Sequence, residues 1–259
     1  MIEQFEVVIT PFNRKRTARV YLPEDYYQND SRYPVLYMHD GQNLFKDEDA
    51  NYGVSWGISE YLTERGRKMI VVGLDCNHEG YKRLDEYGPW PSEEMSRVFP
   101  VNEDSIGGEG KLYIDYIVQE LKPMIDAAYR TKTEETSMAG SSMGGLISTY
   151  AACAYPDIFK RIASVSSAYW FNQKEIENFI ENSDLSSIEK FYMDIGTNEG
   201  TQSIGSKQYV DSSERVHHIL KNKITDLRFD IIDGAVHNEQ AWRERVPAIF
   251  EFLFEEDSN

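Results

Sequence analysis

Residues 136–145 of this chain read TSMAGSSMGG, and the reading of that stretch decides the fold. A flexible Gly/Ser loop is one reading. The other is a tight turn between a strand and a helix that holds a serine hydroxyl outward. TSMAGS (136–141) is a short strand-like run, and GGLISTYAACAY (144–155) has helical character. A G-x-S-x-G match set between a strand and a helix is the signature of a nucleophile elbow. Of the two adjacent serines only Ser142 has glycine at both −2 and +2, so Ser142 is the candidate nucleophile and Ser141 an intervening residue. The glycines have a physical reason: side chains two positions from the serine would collide in so sharp a turn. The helix that follows would bring its positive dipole end close to the serine.

Working outward, short apolar runs recur at 5–10, 16–22, 33–41, 69–75, 161–167, 190–196 and 227–233. The first two, FEVVIT and RTARVYL, flank the polar PFNRK and predict an N-terminal antiparallel hairpin. The later ones are apolar on both sides, as in a parallel sheet covered on both faces. Helical segments alternate with them at 56–66, 111–129, 144–155, 210–222 and 239–254, with Pro123 expected to kink the second. This alternation predicts an α/β fold with a mostly parallel central sheet and helices on both faces. With no internal repeat and no linker, residues 1–259 are expected to form a single domain. Two stretches break the rhythm: a long connection at 76–110 and a polar insertion at 170–189. Such loops are walls or lids of sites more often than spacers.

Composition narrows the function classes. The chain carries a formal charge of −17, which repels nucleic acid and anionic lipid. Its acidic residues are dispersed apart from a short run at Glu255–Asp257. No window resembles a membrane span, and the N-terminus MIEQFEVVIT has no signal-peptide pattern. Cys76 and Cys153 are the two cysteines, which suits free thiols in a cytoplasmic setting. No Cys/His cluster has ligand spacing and no G-x-G-x-x-G follows a strand, so neither a metal nor an organic cofactor is expected. The oligomeric state is left open.

A serine hydroxyl needs a base. After Ser142 come His217, His218 and His237, and the first two lie in a helical stretch. His237 follows the last strand-like run, where a loop histidine can reach over the sheet edge, so His237 is the candidate base. In the chain order Ser, acid, His, the acid should follow the preceding strand. KFYMDIGTNEG offers Glu199 in a loop and Asp194 within the strand, and Asp233 lies near His237. Glu199 is preferred because a loop carboxylate can move to meet the imidazole. An oxyanion hole needs two backbone N–H groups. Met143 supplies one, and Gln42, in the HDGQNLF turn, the other; for His39, Asp40 and Asn43 turn capping is as good a reading as catalysis. GVSWG (53–57) also matches G-x-S-x-G, but no strand precedes it, and Ser55 reads better as the N-cap of a helix starting at Trp56.

YPVLYMHDGQNLF, AGSSMGGLISTYAACAYPDIF, IGTNEG and GAVHNEQAWRERVPAIFEFLF together resemble the putative-esterase family of α/β-hydrolases. That family includes esterase D-like, feruloyl and acetyl xylan esterases, enterochelin esterases and mycolyltransferases. The resemblance runs from about residue 3 to 254. It implies an α/β-hydrolase fold, with Ser142, Glu199 and His237 as triad and Met143 and Gln42 as oxyanion donors. It also implies a carboxylic ester hydrolase acting on a small-molecule ester. Departures are Asp40 before Gly41, where many relatives have histidine, and glutamate at 199, where some have aspartate. The absence of a signal peptide and carbohydrate module favours small or carbohydrate-linked acetyl or feruloyl esters over a polysaccharide. The rivals are a siderophore trilactone hydrolase or acyltransferase on the same site, for which Lys82 and Arg83 are the obvious cations, and a non-catalytic binding protein. Tyr87, Trp90 and Trp170, with Phe171, are expected to form an aromatic wall beside Ser142 or else to pack the loops.

Overall fold

The computed structural model describes residues 1–201 and 203–255. Of the acidic run at the C-terminus, Glu256 and Asp257 lie outside the described residues. The chain falls into two compact units, Met1–Ser137 and Met138–Asn259.

In the first unit, β1 (Ile2–Ile9) and β2 (Arg14–Tyr21) form the N-terminal hairpin, antiparallel with Ile2 opposite Tyr21 and Ile9 opposite Arg14. The connection is a single 3₁₀ turn closed by Asn13 at φ 50, a left-handed conformation that asparagine tolerates. β3 (Tyr33–His39) and β4 (Ile70–Leu74) pair in parallel, and β2 joins β4 antiparallel. All five residues of β4 are buried. Since alternate side chains point to opposite faces, both faces there are covered. Between β3 and β4, α1 runs over Ile58–Glu64 and buries Ile58, Tyr61 and Leu62. It starts two residues later than the sequence suggests, with Gly57 and not Ser55 as its N-cap.

The 76–110 connection is partly helical: α2 covers Lys82–Tyr87 and α3 Glu93–Val98, the latter capped by the Ser92 hydroxyl, which accepts from the Met95 amide. The helix expected over 111–129 is α4 (Gly110–Tyr116), a π turn (Ile117–Leu121) and α5 (Lys122–Ala128). The wide turn absorbs Pro123, whose ring would clash with a carbonyl of the preceding turn in a regular helix.

β5 (Thr131–Ser141) carries the chain into the second unit. There α6 (Met143–Ala154) follows at once, with Met143 to Cys153 all buried. β6 (Phe159–Val165), β7 (Lys190–Asn198) and β8 (Leu227–Val236) are parallel neighbours in that order. The 170–189 stretch is not an open loop. It holds a 3₁₀ turn (Tyr169–Asn172) and α7 (Gln173–Asn182), which buries Ile176 and Ile180. α8 spans Ser206–Leu220 and α9 spans Glu239–Phe254.

Among the described residues the eight strands make one mostly parallel sheet in the order β1-β2-β4-β3-β5-β6-β7-β8. β8 is its last strand and is half exposed, with Ile231 on the surface, so the two-sided burial expected for LRFDIID does not hold there. Among the described residues no helix is long and apolar enough to cross a membrane.

Candidate active site

Ser142 stands between β5 and α6 at φ 59 and ψ −122, well outside the regions that L-residues favour. A β-carbon on Gly140 would lie 2.7 Å from the carbonyl carbon and oxygen of Gly144, so the turn closes only with glycine there. The chain after β6 holds the Ser142 peptide from both sides. The Ser142 N–H donates to the Val165 carbonyl at 2.9 Å, and the Ser142 carbonyl accepts from the Ala168 N–H at 3.0 Å. Met143 is the first residue of α6, so its amide is not required by the helical ladder.

His237 sits between β8 and α9, just before the N-cap Asn238, whose side chain accepts from the Ala241 amide. Its Nδ1 donates to Glu199 Oε2 at 2.5 Å. The other two carboxylates weighed in the sequence lie elsewhere. Asp233 accepts from the Thr197 hydroxyl. Asp194 is buried, takes Arg245 Nη1 at 2.8 Å and accepts from the Tyr192 hydroxyl at 3.0 Å.

Glu199 is buried, and its remaining oxygen is fully occupied. Oε1 accepts from the Ser166 hydroxyl at 2.5 Å, the Gly196 amide at 2.7 Å and Arg245 Nη2 at 3.3 Å. Gly196 is required by that approach, since a β-carbon there would lie 2.7 Å from Glu199 Oε1 and 2.3 Å from the Ala235 carbonyl oxygen. Burial pushes the Glu199 carboxyl up. The hydrogen bond and charge of His237, the Ser166 hydroxyl and Arg245 outweigh it and hold the group below the usual glutamate range. Asp194 goes the other way: burial dominates over Arg245 and Tyr192 and pushes it up to about 6. The site therefore presents an ionised carboxylate to the Nδ1 side of the imidazole.

Ser166, Trp242, Arg245 and Tyr209 were not singled out by sequence. The Tyr209 ring lies 5.0 Å from the His237 ring on one side and Trp242 lies 5.1 Å from it edge-on. Trp170 meets Tyr209 at 5.5 Å, also edge-on. Trp170 is thus one ring removed from His237, in a file with Tyr209. Its neighbour Phe171 is buried.

The first-unit candidates are tied down locally. Gln42 is buried in the 3₁₀ turn Gly41–Asn43, where its Oε1 accepts from the Cys76 amide at 3.2 Å. Asp40, in a left-handed conformation at φ 57, is gripped by Arg83 through two bonds of 2.6 and 2.7 Å. His39 is buried between Tyr87 and Tyr113, and that burial lowers its pKa to about 3, so the ring is neutral. Tyr87 is 0% exposed, and its hydroxyl accepts from the Asp40 amide at 3.0 Å. Trp90 is half-buried with Lys111 Nζ 5.2 Å from its ring centre. Among the described residues no group of His, Cys, Asp and Glu is arranged to hold a metal ion.

Comparison with known proteins agrees with this architecture. The profile of the putative esterase family matches residues 9–253. The "uncharacterized protein YbbA" of Bacillus subtilis (strain 168) is 31% identical over 252 residues, covering 93% of each chain. The ferri-bacillibactin esterase BesA of the same organism is 23% identical over 169 residues, 57% of this chain and 53% of that one. Among solved structures, an IroE-like serine hydrolase from Shewanella oneidensis superposes with a TM-score of 0.78 at 18% identity, over 99% of this chain and 81% of that one.

Proposed function

The chain belongs to the putative esterase family and is a carboxylic ester hydrolase, and from that premise we propose a serine esterase that uses Ser142, His237 and Glu199 on small or carbohydrate-linked esters of acetyl or feruloyl type. The observation that carries the triad is the 2.5 Å bond from His237 Nδ1 to Glu199 Oε2, with Ser142 strained at the strand-to-helix turn of the same unit.

In this reading Ser142 Oγ attacks the ester carbonyl while His237 Nε2 takes its proton. Glu199, already ionised, stabilises the imidazolium that forms. The Met143 amide, free at the start of α6, receives the tetrahedral oxyanion. His237 then protonates the leaving alcohol, and a water attacks the acyl-enzyme by the same steps in reverse. Trp170, next to the Tyr209–His237 file, is the wall candidate that this geometry favours. The complete burial of Tyr87 favours packing over wall duty.

The siderophore reading draws on the likeness to BesA, whose name marks it as an esterase of ferri-bacillibactin. An anionic catecholate needs cations to receive it. Here Arg83 is spent on Asp40, and Lys82 bonds Asp85 and Glu103. With a net charge of −17, these pairings favour a neutral ester. Both cysteines are buried free thiols, and burial raises both pKa values, Cys153 to about 12; inert thiols suit a cytoplasmic enzyme.

The test is a panel of p-nitrophenyl acetate, acetylated sugars, methyl ferulate and a catecholate trilactone, run with wild type and Ser142→Ala. Turnover of the neutral esters that Ser142→Ala abolishes is the expected result. Preference for the trilactone would overturn the substrate class, and turnover by Ser142→Ala would overturn the nucleophile.

A further inference from the structure

Ser166 combines a left-handed backbone with a fully engaged side chain. Its φ is 46, in the left-handed region where a residue other than glycine is strained. It is 0% exposed. A hydroxyl offers one donor and two acceptor lone pairs, and all three are used. The Ser166 O–H donates to Glu199 Oε1 at 2.5 Å, and the oxygen accepts from Arg245 Nη1 at 2.7 Å and Trp242 Nε1 at 3.0 Å. Its amide donates to Asp194, to the backbone carbonyl and to Oδ1, each at 3.1 Å.

The neighbours of Ser166 in the chain hold the other half of the machinery. Val165 accepts the Ser142 amide, and Ala168 donates to the Ser142 carbonyl. The four residues Val165–Ala168 therefore grip the elbow peptide at both ends and the Glu199 carboxylate in the middle. Trp242, which donates to Ser166, also packs edge-on against the His237 ring. One small hydroxyl touches the acid, the ring that flanks the base and the arginine that joins Glu199 to Asp194.

We propose that Ser166 is a positioning residue for ester hydrolysis, fixing Glu199 relative to the elbow so that His237 meets Ser142 in a productive orientation. This rests on the triad proposed above. Freed of the Ser166 bond, the Glu199 carboxylate would keep the Gly196 amide and Arg245 and could rotate about them. A displacement of that kind acts on the rate of the chemical step, with little effect on substrate binding.

The test is a double-mutant cycle in steady-state hydrolysis of p-nitrophenyl acetate, with wild type, Ser166→Ala, Glu199→Gln and the double variant. Ser166→Ala should lower kcat by roughly 10–100-fold while KM stays within about 2-fold. In the Glu199→Gln background the same change should alter kcat by less than about 2-fold, because the group it positions is already disabled. Equal factors in the two backgrounds would overturn the proposal and assign Ser166 a purely structural part. A wild-type kcat for Glu199→Gln would remove the acid itself, and the proposal with it. Ser166→Gly accepts φ 46 without strain and keeps the experiment open if the alanine variant does not fold. It should lose as much kcat as alanine, and a wild-type kcat for Ser166→Gly would overturn the role of the hydroxyl.

Discussion

The chain contains the pattern G-x-S-x-G twice, and the two copies have become different structures. At 140–144 a strand enters and a helix leaves, and Ser142 is strained between them at φ 59. At 53–57 no strand enters, and Ser55 is 0% exposed. Its amide and hydroxyl both donate to Asp47 Oδ1 at 2.8 Å, and its oxygen accepts from the Gly57 amide at 3.3 Å. The glycines differ as well. A β-carbon at Gly140 would strike the backbone of Gly144, whereas one at Gly53 meets nothing within 4 Å. The shared letters report small residues near a serine. Whether that serine can attack depends on the elements at either side, which force the strain in one case and leave the hydroxyl bonded inward in the other.

Substitutions can break or sharpen this contrast. The largest effect is expected from Ser142→Ala, which should lower kcat for p-nitrophenyl acetate by about 10⁴-fold or more at unchanged stability. Glu199→Gln follows, with a loss of about 10²–10⁴-fold, because a neutral amide no longer stabilises the imidazolium. Asp233→Asn, changed on a residue that bonds Thr197, should leave kcat within about 2-fold. Gly140→Ala should destabilise the fold by about 1–3 kcal/mol in urea denaturation, since the backbone of Gly144 must move to admit the methyl group. Ser55→Ala should leave kcat unchanged and cost about 1.5–3 kcal/mol, the worth of a buried hydroxyl bonded to a carboxylate. A rate loss at Ser55 with full activity at Ser142→Ala would reverse the assignment of the two motifs.

The smallest expected effect is one of pH. Asp194 is pushed up to about 6 by burial, from an ordinary 3.8. The native state therefore keeps a proton there that the unfolded chain releases, and this contribution to stability is lost as pH rises through that window. Asparagine does not titrate. The stability deficit of Asp194→Asn relative to wild type should accordingly shrink between pH 4 and 6, as followed by urea midpoints. A deficit that is constant or grows would contradict the direction of the shift.

Much of the fold was legible because its signals are local. The N-terminal hairpin, the alternation of strands and helices and the helix after Ser142 all follow from periods of two and 3.6 residues. Misreadings arose where composition hid the period. In α7 the buried Ile176 and Ile180 are spaced i, i+4, but acidic and amide residues surround them and the segment read as a polar insertion. In β8 the apolar run suggested two covered faces, although Arg228 and Asp230, which bond each other, mark an open edge. Around the site, Glu199 and His237 stand in loops after strands, where chain order points to them. The Ser166 cluster gave no such signal. Its left-handed φ is invisible in SVSS, and Arg245, spaced three residues from Trp242 on α9, reads as an ordinary amphipathic pair. Its meeting with Ser166 joins residues 79 apart, which no local period reports.

The most direct test of the account is labelling with a fluorophosphonate, which reacts only with an activated serine, followed by peptide mapping. A single adduct on Ser142, present in Ser55→Ala and absent in Ser142→Ala, is the expected outcome. An adduct on Ser55, or full labelling of Ser142→Ala, would contradict it.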